Sequence, residues 1–103
     1  MSSSKDFLDF VLEQLSDLSD ITWRAMMGEY IIYYRGRIIG GIYDNRFLVK
    51  PTASALKIIP NAQMEIPYDG GHPMIMITDI ENRELLENLF NAIYPELPTP
   101  KKK

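Results

Sequence analysis

Apolar residues recur at two different spacings along this chain. From Phe7 to Leu18 they fall three and four positions apart, at Phe7, Phe10, Val11, Leu15 and Leu18, with Leu8 and Leu12 widening the stripe. That spacing predicts an amphipathic helix over residues 4–18. Ser3 followed by Asp6 suits a capping box with Asp in place of Glu. Asp6 and Asp9 also suit the positive end of a helix. From Thr22 onward the pattern changes to runs of β-branched and aromatic residues over 22–27, 29–34, 37–43 and 46–50. Gly28, Arg35-Gly36-Arg37 and Asp44-Asn45-Arg46 interrupt these runs, which predicts a β-meander with tight hairpins. Thr52 to Ile59 predicts a short helix capped by Thr52 and closed by Pro60. Residues 60–73 hold Pro67, Asp69-Gly70-Gly71 and Pro73, all turn formers, and read as irregular. Met74 to Asp79 reads as a last strand. Glu81 to Tyr94 reads as a closing helix, with Leu85, Leu86, Leu89, Phe90 and Ile93 on one side, Thr78 and Glu81 as its capping box, and Pro95 as its stop.

The expected fold is therefore α+β: an antiparallel meander with an N-terminal, a short middle and a C-terminal helix packed on one face. Residues 1–94 form a single expected domain. Residues 95–103, rich in Pro and Lys, read as a disordered tail.

Two-residue turns would pair Tyr33 with Ile38, Ile31 with Gly40, and Gly40 with Val49. Strict alternation then places Ile31, Tyr33, Ile38, Gly40, Ile42, Phe47 and Val49 on one side, expected to be the core beside Phe10, Leu15 and Leu89. The other side gathers Tyr30, Ile32, Tyr34, Arg37, Ile39, Gly41, Tyr43, Arg46, Leu48 and Lys50. That side is too apolar for a solvated sheet face, so it is the candidate interaction surface. A homodimer, or cover by the chain itself, is its leading explanation. A protein partner comes next, and a nucleic-acid platform of stacking tyrosines follows.

Composition narrows the choice. A hydrophobic fraction of 46% over 103 residues suffices for one core. No apolar run approaches the roughly 18 residues that span a bilayer, and the N-terminus lacks a secretory pattern, so a cytoplasmic protein is expected. No cysteine is present, which excludes disulfides, thiol nucleophiles and zinc–thiolate sites. The net charge is −3, but it is unevenly spread. Residues 22–57 carry Arg24, Arg35, Arg37, Arg46, Lys50 and Lys57 against Glu29 and Asp44, while the flanking segments are acidic. Arg35 and Arg37 lie at one strand end and Arg46 at the other, so they make no single phosphate cleft.

Little here points to chemistry. His72 is the sole histidine and stands in a turn; with Asp69 it suggests an acid–base pair only weakly, since such work also needs a positioned substrate. One histidine without partners is no metal site. Gly40-Gly41 lacks the spacing of a dinucleotide loop and reads as room for bulky neighbours such as Tyr30. Asp6, Asp9 and Glu13 read as a solvated stripe. Met26 and Met27 read as core filler or partner contacts. No catalytic residue, cofactor or metal is expected.

The order Met27-Gly28-Glu29-Tyr30, Tyr34-x-Gly36, Gly40-Gly41, Asp44-x-Arg46-x-Leu48-x-Lys50 resembles the N-terminal domain of the TfoX family. The opening Phe7-Leu-Asp-Phe-Val-Leu-Glu-Gln-Leu15 fits that family's start. The resemblance implies an antiparallel sheet flanked by helices in a bacterial regulator of competence and transcription. It implies a stand-alone copy, without the helical C-terminal domain that full-length members often carry, and it supplies no catalytic residues. The expected function is a non-enzymatic regulatory or protein-interaction module, with nucleic-acid binding through the outer sheet face as the alternative.

Overall fold

The computed structural model describes residues 3–98. Helix α1 (Lys5–Gln14) opens the chain and is capped by Ser4, whose hydroxyl accepts from the Phe7 amide at 3.1 Å. The capping residue is thus one position later than the sequence pattern suggested. Ser3 is instead drawn into contacts with the sheet. Four strands then follow as a meander: β1 (Ile21–Met26), β2 (Glu29–Tyr34), β3 (Arg37–Tyr43) and β4 (Arg46–Val49). Each turn between them is two residues long, and both residues of each have positive φ: Met27-Gly28, Arg35-Gly36 and Asp44-Asn45. That backbone matches the right-handed twist of the strands it joins.

Helix α2 (Ala53–Ile58) is capped by the Thr52 hydroxyl as expected. Two short strands follow, β5 (Gln63–Glu65) and β6 (Met74–Met76), within and just after the segment that read as irregular. Helix α3 (Arg83–Ile93) takes Asn82 as its cap, in place of the Thr78–Glu81 box. The sheet is antiparallel with order β1-β2-β3-β4-β6-β5. The α+β architecture read from sequence is the one observed.

Pro95 does not start a tail directly. Tyr94–Glu96 form a 3₁₀ turn that brings Leu97 into the core. Residues 99–103, most of the expected tail, lie outside the described residues.

All three helices contribute to one core on a single face of the sheet. Leu8 and Val11 from α1 and Leu15 at its C-cap meet Leu86, Leu89, Phe90 and Ile93 from α3, and Ala55 from α2. The sheet answers with Ile32, Tyr34, Ile39, Ile42, Phe47, Val49 and Ile75. Aromatic rings run through its centre: Phe90 lies 5.7 Å from Tyr34 and 6.3 Å from Phe47 between centroids. The Tyr34 hydroxyl donates to Asn91 Oδ1 at 2.8 Å, so the phenol is buried without losing its hydrogen bond.

This corrects the face assignment made from alternation. Tyr33 does pair with Ile38 and Gly40 with Val49, but Ile31 pairs with Gly41 and Ile32 with Gly40. The register therefore shifts between Ile32 and Tyr33, leaving Ile39 as an extra residue in β3. At this β-bulge Ile39 and Gly40 both serve the helix face, and the period of two breaks. Everything on the Arg35-Gly36 side of the bulge, with all of β2, inverts. Tyr30, Ile32, Tyr34, Arg37 and Ile39, expected outside, face the helices. Ile31, Tyr33 and Ile38, expected in the core, face outward. Ile42, Phe47, Val49, Gly41, Tyr43, Arg46 and Leu48 lie beyond the bulge and keep their expected sides.

Candidate functional site

The inversion builds a cleft on the outer face. Its floor is Ile31 of β2 with Ile38 and Tyr43 of β3, and Lys50 and Pro51 close the end where β4 stops. The chain between β5 and β6, residues 66–73, forms the opposite wall through Pro67, Tyr68, His72 and Pro73, with Met74 at its foot. Met26 and Met27 of the first hairpin guard the remaining end beside Glu29. The cleft is open on one side and its volume is about 850 Å³, within the roughly 300–1,000 Å³ typical of ligand sites.

Arg46 holds this wall in place. Its Nη1 lies 3.2 Å from Glu65 Oε1, its Nη2 donates to the Ile66 carbonyl at 3.1 Å, and its Nε donates to the Tyr43 carbonyl at 3.1 Å. Three directed bonds to two elements fix where β5 ends and the wall begins, a task suited to the planar guanidinium. Arg46, expected to meet a partner, is thus engaged within the chain.

The Tyr68 ring then packs 6.0 Å from Tyr43. Tyr43 can lie flat there because Gly41 has no side chain: a methyl group on Gly41 would come within 2.7 Å of the Tyr43 ring and 2.6 Å of the Tyr30 carbonyl oxygen. Gly40-Gly41, expected to make room for Tyr30, gives it to the Tyr43 ring, against Gly41, while Tyr30 packs toward the helices. Burial, then the nearby Tyr68, Glu29 and Tyr33, push the Tyr43 phenol up from its ordinary value. It stays neutral at physiological pH.

The Glu29 carboxylate is occupied at the hairpin end. Its Oε1 accepts from the Ser3 hydroxyl at 2.5 Å and from the Asp44 amide at 3.2 Å. Ser3 Oγ in turn accepts from the Asn45 amide at 3.0 Å, and Asn45 Oδ1 accepts from the Ser4 amide at 2.8 Å. These bonds tie the start of the chain to two hairpin turns. They also account for Glu29 in the Met27-Gly28-Glu29-Tyr30 motif.

The remaining expected site residues disperse. Arg37 lies on the helix side, its Nη1 donating to the Tyr94 carbonyl at 3.2 Å and its guanidinium 4.4 Å from the Tyr94 ring centroid. Arg35 stacks 5.1 Å from Tyr34. Leu48 is outward but fully covered. His72 is exposed on the wall, and Asp69 forms no ion pair with it among the described residues. No three acidic or histidine side chains converge among the described residues, and no helix there is long and apolar enough to cross a membrane. Sequence reasoning passed over Ile31, Ile38, Met74 and the wall of prolines. The signal that could have found the wall is Pro67 and Pro73 bracketing a short segment between two strand-like triplets.

The chain is similar to a protein of Spirochaeta aurantia described as an uncharacterized 12.7 kDa protein in the trpE 5′ region. The two are 28% identical over 102 residues, which cover 98% of this chain and 89% of that relative. No family model matches the chain, and no solved structure matches it.

Proposed function

We propose that this protein is a non-enzymatic, cytoplasmic regulatory or protein-interaction module of the TfoX N-terminal type, working through the outer-face cleft. The observation that carries this reading is the cleft's composition. It is a large hollow walled by prolines, methionines and tyrosines, and its one acidic lining residue, Glu29, already accepts from Ser3 and Asp44. Such a surface binds; it has no arranged acid, base or nucleophile to turn binding into chemistry. Methionines at its rim can adapt to a partner's contour.

Self-association belongs to the same proposal. Strand β1 leaves one edge unpaired, with Trp23 and Met26 exposed, and two copies joined there by a two-fold axis are the simplest assembly. The nucleic-acid alternative has less support. Tyr30 and Tyr34 pack toward the helices, Arg37 and Arg46 are engaged within the chain, and stacking platforms need such side chains free.

The test is affinity capture of the tagged protein from its native cells after nuclease treatment, with Ile38→Arg as the blocked-cleft control. The proposal expects a defined protein partner with the wild type and its loss with the variant. Recovery of nucleic acid instead, or equal capture by both proteins, would overturn it.

A further inference from the structure

We propose that the cleft binds a small amphipathic anion: a linear apolar chain carrying one carboxylate, with the carboxylate at Lys50. This rests on the reading of the cleft as the working surface and gives that surface a small-molecule occupant that would compete there with the protein partner. Two observations carry it. The first is the distribution of charge. Lys50 lines the cleft and takes part in none of the three ion pairs among the described residues. An ammonium beside Ile38 and Pro51 has an incentive to find an anion that bulk water does not match. The only acidic side chain on the lining, Glu29, is at the other end and already accepts from Ser3 and Asp44.

The second observation is length. Ile31 and Leu48 both flank Gly41, on opposite sides. Glu29 precedes Ile31 by two residues, Lys50 follows Leu48 by two, and β2 and β4 run parallel. The two ends are therefore four residues apart along the strands, roughly 13 Å, and two strands apart across the sheet, roughly 10 Å, or about 16 Å in all. An extended chain advances about 3.5 Å for every three bonds, so about fourteen bonds span the distance. Between the ends the lining is mainly apolar, with Ile38, Ile31 and Met74, then Met26 and Met27, beside the Tyr43 and Tyr68 rings. A carboxylate of about ten to fourteen carbons suits that length once the reach of the Lys50 and methionine side chains is counted, with its head at Lys50 and its tail toward the methionines.

The probe is sodium decanoate below its micelle concentration, titrated into full-length protein labelled with ¹³C at the methionine methyls. Decanol and decyltrimethylammonium serve as neutral and cationic controls. Saturable shifts are expected at Met26, Met27 and Met74, with Met64, outside the cleft, unmoved. Lys50→Gln should weaken decanoate by about tenfold or more, the scale of one charge-assisted bond, while leaving decanol unchanged; Lys50→Arg should restore decanoate. Shifts that spread equally to Met64, a cationic probe that binds as well as decanoate, or indifference to Lys50→Gln would overturn the proposal. If decanoate fails while Ile38→Arg still abolishes partner capture, the ligand assignment falls and the functional reading stands. If Ile38→Arg leaves capture intact as well, both fall.

Discussion

The two faces of the sheet are built from the same residue types and end in different states. Helix-side Ile32, Ile39, Ile42, Phe47 and Val49 are completely buried, closed over by α1 and α3. Outward-facing Ile38 remains 39% exposed, and Tyr33 and Tyr43 are half-buried, although their strands are equally apolar. The difference lies in what covers each side. Two helices with continuous apolar stripes seal one face. A proline-bracketed segment of the chain, stapled by Arg46, stands off the other and leaves a hollow. Hydrophobicity alone therefore does not tell the core face from the open face in this protein; the covering element does.

Mutations on matched positions should separate the two faces. Phe47→Ala, which empties a fully buried site beside Phe90, should cost about 3–5 kcal/mol in denaturant melts. Ile38→Ala, on the open face, should cost only about 1–2 kcal/mol, since part of the side chain already meets solvent. Equal losses would erase the distinction. Gly41→Ala should cost about 1–3 kcal/mol by forcing Tyr43 from its seat, and Tyr43→Ala in the same background should recover part of that loss. Tyr34→Phe should cost about 0.5–1.5 kcal/mol through the lost bond to Asn91.

Two titrations give the smallest effects. The Tyr43 phenol is pushed up on folding, so its contribution is fully present below the unfolded value of 10.0 and is lost as pH rises through its folded value. Ultraviolet titration should find the Tyr43 phenol ionising above its unfolded value of 10.0, and Tyr43→Phe should flatten the alkaline loss of stability. Glu96 behaves oppositely. Hydrogen bonds from the Ser54 hydroxyl and amide hold its carboxyl below 4.5. Its contribution is present above that value and disappears as pH falls through the folded one. Because the group is exposed, Glu96→Gln should alter the acid limb of the melting curve only slightly.

The sequence made the element order legible because each local signal agreed with its neighbours. Thr52 before Ala53–Ile58, Gly36 after Arg35, and Asn45 after Asp44 each state their turn or cap directly. Caps at Ser4 and Asn82 were missed by one and several residues because other polar residues nearby offered equally good patterns. β5 was missed because Gln63-Met64-Glu65 is too short to show a period. The face assignment failed for one reason. A bulge at Ile39 adds a single residue, and a period of two carries that error through all of β2. Gly40 was the available hint, since a side chain there would overlap the Leu48 carbonyl, and glycine within a strand often marks such a site. The cleft was hidden for the same reason, because its floor residues had been counted as core.

The bulge makes one direct demand on two adjacent residues. Ile38 and Ile39 are chemically identical, but the structure places them on opposite faces. The denaturant midpoints of Ile38→Arg and Ile39→Arg, measured side by side, test this most simply. The account predicts that Ile38→Arg folds with a midpoint close to wild type, its long side chain reaching water from the cleft, whereas Ile39→Arg places an unpaired charge in the core and fails to fold. A stable Ile39→Arg together with an unfolded Ile38→Arg would contradict the inversion and, with it, the existence of the outer cleft.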